Sequence, residues 1–436
     1  MKKSKLIFIF LVCIFARIIN SQNLYFPPLI GNTWETTNPA SLGWCTQYID
    51  ELYNYLDAEE SKAFIVLKDG KIVLEKYFDT FTKDSLWYWA SAGKTLTAFL
   101  VGMAQQEGKL KLTDQTNKYL GNAWTHTPLT KENQITIWYQ LTMSSGLDDG
   151  VADNHCTTSD CLIYKADAGS RWAYHNAPYT LLRDVLEIAS GMNENIYIQS
   201  HLKNRTGMNG LWITSGYDNV YVSTPRSMAR FGLLILNKGV WDQDILMTDQ
   251  SYFDAMVHPS QSLNKSYGYL WWLNGQASFM LPTLQIVFPG SLSPEAPKDM
   301  FSGIGKNGQL VCVVPSLNMV VIRMGESNGP SNEVSIVLCN QIWARLNKIL
   351  CSTTSSKQTV DSKISLYPNP ANQKLNINIP KSIHPSKISI YNSLGKCILT
   401  RPYKPSVDID NLDNGIYFIR LEMNGSCQVR RFVKGD

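Results

Sequence analysis

Ser91-Ala-Gly-Lys94 stands directly after the aromatic run Leu86-Trp-Tyr-Trp-Ala90 and opens an apolar stretch. From Ser91 to Gly108 the residues Leu96, Phe99, Leu100 and Met103 recur at i, i+3, i+4 and i+7, which predicts a helix buried on one face and closed by glycine. Ser91 and Lys94 then share a helical face. A lysine withdrawn from water loses part of its preference for the charged form, so a neutral Lys94 amine can take the proton of the Ser91 hydroxyl and make it a nucleophile. The start of the helix adds a backbone N–H and a dipole suited to an oxyanion. Serine and lysine at this spacing are not diagnostic alone, because the same pattern occurs at Ser200, Ser262 and Ser393. Only the first opens a buried helix.

The second element is Tyr174-His-Asn176, 83 residues after Ser91 and just ahead of another helical pattern, Leu182, Val185, Leu186 and Ala189, ending at Gly191. A tyrosine beside the lysine can relay the serine proton, and a neighbouring asparagine amide can hold both the lysine and a substrate carbonyl. Tyr-x-Asn also occurs at Tyr217 and Tyr367, so order and context carry the weight. His155 and His175 have no carboxylate at a pairing distance in sequence, which makes them structural or exposed, with His175 directed away from the site. The aromatics of Tyr267-Gly-Tyr-Leu-Trp-Trp-Leu-Asn-Gly275 form either a core strand and turn or a wall of the cleft.

These residues need a scaffold, and the larger segment mixes periods. Ala63–Leu67 and Lys71–Glu75 flank Asp69-Gly70, a hairpin signal. Leu310–Val314 and Met319–Arg323 flank Pro315-Ser-Leu-Asn318, a second hairpin. Strands at both ends with helices between them predict an α+β domain whose sheet is assembled from its two termini. The Ser/Thr-rich stretch 352–362 reads as a linker between a domain at 22–351 and a tail at 363–436. In that tail Leu375–Ile379, Ile388–Tyr391 and Ile416–Leu421 alternate apolar with polar residues, as strands of a small β-sandwich do.

The chain has 436 residues, 44% hydrophobic and 11% aromatic, which excludes wholesale disorder. Its formal charge of +4 is too thin for a nucleic-acid binder. Lys2, Lys3, Lys5 and Arg17 account for all of it, and they flank an apolar run of eleven residues, which predicts a secretory signal over 1–21. That run is short of the roughly 20 residues that span a bilayer, so no membrane span is expected. What remains is divided, with net −6 over 22–351 and net +6 over 363–436. Export permits disulfides, and Cys156 and Cys161 are close enough to pair, or to remain two free thiols in a loop. No Cys/His spacing fits a metal site, and no cofactor is called for.

Taken together, the Ser91 and Tyr174 motifs resemble the serine hydrolases of the class C β-lactamase family, which include D-alanyl-D-alanine peptidases, esterases and 6-aminohexanoate-dimer hydrolase. The resemblance spans roughly residues 60 to 345. It implies an antiparallel sheet flanked by helices with a helical subdomain, Ser91 as nucleophile, Lys94 as base, Tyr174 as proton relay and Asn176 as a substrate contact. An acyl-serine intermediate follows. A third motif, often Lys-Ser/Thr-Gly, is expected on a strand lining the cleft; Phe301-Ser-Gly303 matches it by position, with Lys306-Asn-Gly308 as the other reading. With Phe301 in place of the cation, Ser302, Gly303 and Ile304 would complete the oxyanion hole, and a small amide or ester substrate is favoured over a β-lactam. A D-amino-acid peptidase, a class C β-lactamase and a non-catalytic surface binding protein are the alternatives. The tail, through Ile364-Ser-Leu-Tyr-Pro-Asn-Pro, Ile388-Ser-Ile-Tyr-Asn and Leu412-Asp-Asn-Gly-Ile-Tyr-Phe418, resembles the C-terminal sorting domain of type IX secretion. It implies that the secretion machinery is a partner, with the enzyme released or attached to the cell surface.

Overall fold

The computed structural model describes residues 24–31, 33–328, 334–351, 364–379, 384–392, 397–423 and 426–435. The expected signal segment 1–21 and linker 352–362 lie outside them. The main sheet consists of β1 (Ser61–Lys68), β2 (Lys71–Tyr77), β3 (Trp272–Leu273), β4 (Phe301–Gly305), β5 (Gln309–Val314) and β6 (Met319–Gly325). Its order is β2-β1-β6-β5-β4-β3, antiparallel throughout. The sheet thus joins the two ends of the domain, with Ile65 opposite Ile322 and Val66 opposite Val321. At the β1–β2 turn both Asp69 and Gly70 take positive φ (53° and 83°), the backbone that the Asp-Gly pair supplies.

Every residue of β5 and β6 is buried, because helices cover both faces of the sheet. On one face Val311 and Val320 meet Gly232 of the helix Pro225–Leu236. On the other, the next residue, Cys312, lies 3.9 Å from Cys339 of the helix Ile336–Ile349, sulfur to sulfur. Neighbours in a strand point to opposite faces, so these two helices sandwich the sheet. Helix α1 (Lys94–Gln106) is buried from Lys94 to Ala104 and runs through the core rather than along its surface.

Two disulfides brace this domain. Cys156 and Cys161 close a short loop, and Cys45 joins Cys351 across a sequence separation of 306. The second bridge pins the segment ahead of the first helix to the end of the last one, where Cys45 N–H also donates to Ile349 O at 2.7 Å. Closing so long a loop restricts the unfolded chain, so the paired replacement Cys45→Ser/Cys351→Ser is expected to cost about 2–5 kcal/mol. Thermal melting checks this, and an unchanged midpoint would show that the bridge adds nothing.

The tail is a two-layer β unit. One sheet pairs Ser365–Tyr367, Lys374–Asn378 and Ser406–Asp408; the other orders Cys397–Pro402, Lys387–Asn392, Gly415–Met423 and Ser426–Lys434. Alternating residues Leu375/Ile377, Ile388/Ile390 and Ile419/Leu421 fill the space between them. Against the hydrolase-like domain it rests Phe418 and Val429 on Leu284 and Phe288.

Candidate active site

The approach to Ser91 is rigidly held. Trp87 and Tyr88 pair with Ser223 and Val222, while the buried Trp89 indole donates to Ser223 Oγ at 2.8 Å. Ala90 then takes a left-handed φ of 45°, unusual for a residue with a side chain. The chain turns sharply there into a 3-10 turn, Ala90–Gly93, that runs into α1. Ser91 is left half-buried on a cleft of about 280 Å³ lined by Tyr88, Lys94, His155, Asn176, Asp218 and Lys306 among others.

Lys94 is 4% exposed, and its Nζ lies 3.2 Å from Ser91 Oγ and 2.8 Å from Asn176 Oδ1. Asn176 begins the short helix α2 (Asn176–Thr180), so the two sequence motifs meet through this amide. Rings enclose the same nitrogen, with Tyr179 at 4.0 Å and Tyr174 at 5.1 Å from centroid to Nζ. Tyr174 is stacked on Trp272 and nearly fully buried beside Lys94. Tyr179, five residues on, lines the cleft itself, and burial pushes its phenol well above the ordinary range, which keeps it protonated. Trp271 and Trp272 are core residues, so the Tyr267–Gly275 aromatics support the site from behind.

The residues expected of the third motif are not found on the cleft wall. Ser302 is fully buried with no hydrogen-bond partner for its Oγ among the described residues. Gly303 packs against Thr95 and Ala92 O, and Ile304 is core. None of the three lines the cleft. The strand continues to Gly305, whose missing Cβ would lie 3.0 Å from Ser91 N, 2.9 Å from Ala92 N and 2.6 Å from Trp89 O. Lys306 follows and lines the cleft, whereas Phe301 does not. In Ser302-Gly-Ile-Gly-Lys-Asn-Gly308 each glycine is a plausible strand end, which is why the register was misplaced. The expectation that a cation is missing is therefore overturned.

His155 is the other correction. It lines the cleft, with Nδ1 2.5 Å from Asp218 Oδ1 and Nε2 3.1 Å from Asn176 Nδ2. Its carboxylate partner is 63 residues away in sequence, on the strand Asp218–Ser223. The hydrogen bond from His155, with Lys94 and Lys306 nearby, holds the Asp218 carboxyl below its ordinary value. The second Tyr-x-Asn match, Tyr217-Asp-Asn219, supplies two cleft residues and was the one sequence signal for this side of the site. His175 is buried outside the cleft, and desolvation pulls it down to about 4, so it is neutral.

Behind Asn219 lies Glu194, whose Oε2 accepts from Asn219 Nδ2 at 2.7 Å. Burial pushes this carboxyl up from 4.5 to about 8 against the opposing effect of that hydrogen bond. A raised carboxyl favours the folded state fully below its unfolded value and loses that contribution as pH climbs through about 8. Glu194→Gln is accordingly expected to flatten the fall in melting temperature between pH 5 and pH 9, and parallel curves for the two proteins would contradict the assignment.

No group of three or more potential metal ligands occurs among the described residues. The geometry, a hydroxyl against a buried amine with backbone amides alongside, suits acyl transfer by a serine. Comparison with known proteins agrees in class. An uncharacterized protein of Alkalihalophilus pseudofirmus is 23% identical over 312 residues, covering 63% of this chain and 86% of the relative. PbpX of Bacillus subtilis, provisionally named a penicillin-binding protein, is 26% identical over 174 residues, 36% of this chain and 43% of its own length. Among solved structures, a Bacillus anthracis protein provisionally named a 6-aminohexanoate-dimer hydrolase superposes with a TM-score of 0.53 at 20% identity, covering 68% of this chain and 82% of that one. The octameric penicillin-binding protein homologue from Pyrococcus abyssi gives a TM-score of 0.51 at 15% identity, covering 91% of this chain and 90% of its own. Both structures bear on the fold alone. Residues 365–435 match the secretion system C-terminal sorting domain, which directs the chain through type IX secretion to the cell surface or the medium. No helix among the described residues is long and apolar enough to cross a membrane. Residues 54–336 match the beta-lactamase family, and the chain belongs to that family of serine hydrolases.

Proposed function

We propose that this protein is an exported hydrolase that cleaves a small amide or ester through an acyl-Ser91 intermediate. The observation that carries the reading is Lys94 Nζ, buried and 3.2 Å from Ser91 Oγ while anchored on Asn176. Lys94 takes the serine proton, Ser91 Oγ attacks the carbonyl carbon, and Tyr174 passes the proton to the leaving group. Water then releases the acid and restores Ser91. The oxyanion is held by Ser91 N–H at the helix start and by the Gly305–Lys306 backbone, in place of Ser302, Gly303 and Ile304. The domain limits 22–351 and 363–436, with cleavage of a signal near Ser21, belong to the same proposal.

Lys306 favours a second reading. Lys306 lines the cleft and makes no ion pair with a carboxylate among the described residues, which suits a substrate bearing a free carboxylate. A D-amino-acid peptidase or a β-lactamase would use it so. Intact-mass measurement after exposure to benzylpenicillin, beside turnover of short amides and p-nitrophenyl esters, separates the two. Turnover of the amides or esters without a penicilloyl adduct supports the first; a stable adduct on Ser91 or rapid penicillin hydrolysis establishes the second.

A further inference from the structure

We propose that His155 is a positioning residue for the Ser91–Lys94 pair: held by Asp218 as the Nδ1–H tautomer, it fixes which way the Asn176 amide faces and so keeps the lone pair of Lys94 free for the serine. This rests on the acyl-serine reading above.

The hydrogen bonds leave little choice. Asn176 offers one acceptor and one pair of donors. Its Oδ1 is 2.8 Å from Lys94 Nζ, and its Nδ2 faces Asn154 Oδ1 at 3.2 Å and His155 Nε2 at 3.1 Å. Both hydrogens of Nδ2 are then used, provided that His155 Nε2 presents a lone pair. The ring proton must accordingly sit on Nδ1, where Asp218 Oδ1 accepts it at 2.5 Å. The result is a continuous chain from Asp218 through His155, Asn176 and Lys94 to Ser91. A nitrogen that donates to Oδ1 keeps its lone pair directed elsewhere, and Ser91 Oγ lies 3.2 Å away.

Turning the amide over would reverse this. Asn176 would then donate to Lys94 Nζ and occupy the lone pair that must receive the serine proton. The groups facing His155 are Asp218 on Nδ1, Asp153, whose carboxylate accepts from the His155 backbone N–H, and the buried His175, with Lys94 and Lys306 reaching the same carboxylate of Asp218. His155 and Asp218 are both half open to solvent on the cleft side.

A fluorophosphonate probe reads Ser91 reactivity without knowledge of the substrate, so the test uses its labelling rate on the full chain from pH 5.5 to pH 8.5. His155→Gln places a neutral amide oxygen where Nε2 stands and is expected to label within about threefold of the native chain at pH 8. His155→Leu removes the acceptor and is expected to label at least about 10-fold more slowly at all pH values, the scale of losing an orienting partner one step from the reacting group. Imidazole 15N shifts, assigned by difference from His155→Gln, should show Nδ1 protonated and Nε2 bare at pH 8. A Leu variant less than threefold slower, a Gln variant as slow as the Leu variant, or the Nε2–H tautomer overturns the proposal. The tautomer measurement does not depend on whether His155→Leu folds. Failure of the native chain to label at Ser91 defeats the hydrolase reading instead, and leaves the tautomer measurement to decide the hydrogen-bond chain.

Discussion

Lys94→Met is expected to slow acylation of Ser91 by at least about 10²-fold, the scale of losing a positioned base. The methionine is nearly as long and fits the space between the Tyr174 and Tyr179 rings, where an apolar methyl replaces Nζ. What disappears is the amine 3.2 Å from Ser91 Oγ. Asn176 Oδ1 also loses its 2.8 Å donor, and a buried acceptor left unpaired costs about 1–3 kcal/mol. The variant should therefore be measurably less stable yet folded, and the rate loss should far exceed what that destabilisation explains. Fluorophosphonate labelling rate beside thermal melting checks both; labelling within a fewfold of the native rate would remove Lys94 from the chemistry.

The second large effect is expected at Gly305→Ala, again at least about 10²-fold, the scale of removing an oxyanion donor. The strain is one of space, since φ is −116° there and any residue adopts it. An added Cβ meets Trp89 O at 2.6 Å and the amide nitrogens of Ala92 and Ser91 at 2.9 and 3.0 Å. All three are backbone atoms in a segment pinned by Trp89, so β4 must retreat from the Ser91 turn. Overpacking of this kind costs about 1–3 kcal/mol in stability. The retreat also separates Ser91 N–H from the Gly305–Lys306 backbone, which is where the rate is lost. Circular dichroism confirms the fold while labelling reports the site, and a variant that labels at the native rate would show that the strand plays no part in holding the oxyanion.

Which parts of this site could be read from sequence follows from distance along the chain. Ser91 and Lys94 are three apart on a helix with a clear apolar period, and Tyr174-His-Asn176 abuts a second one; both motifs converge on Lys94 Nζ. The sheet was legible for a similar reason, because Asp69-Gly70 and Pro315–Asn318 mark their own turns. His155 and Asp218 carry no mutual signal, and only folding brings them together. Cys45 and Cys351 are equally silent at a separation of 306. The third motif is hidden differently: three glycines in seven residues, Gly303, Gly305 and Gly308, give the strand no visible end in sequence. Tyr179 escaped notice because it follows the Tyr-x-Asn motif inside a five-residue helix too short to show a period.

The central claim is that Ser91 is a reactive hydroxyl on a working acyl-transfer site. Incubating the full chain with a fluorophosphonate, digesting it and locating the adduct by mass spectrometry tests this without a substrate in hand. The account predicts one adduct, on the peptide carrying Ser91, absent from Ser91→Ala at an unchanged melting temperature. A folded native chain that takes up no probe, or takes it up at another serine, would contradict the account and return the protein to a binding role on a hydrolase fold.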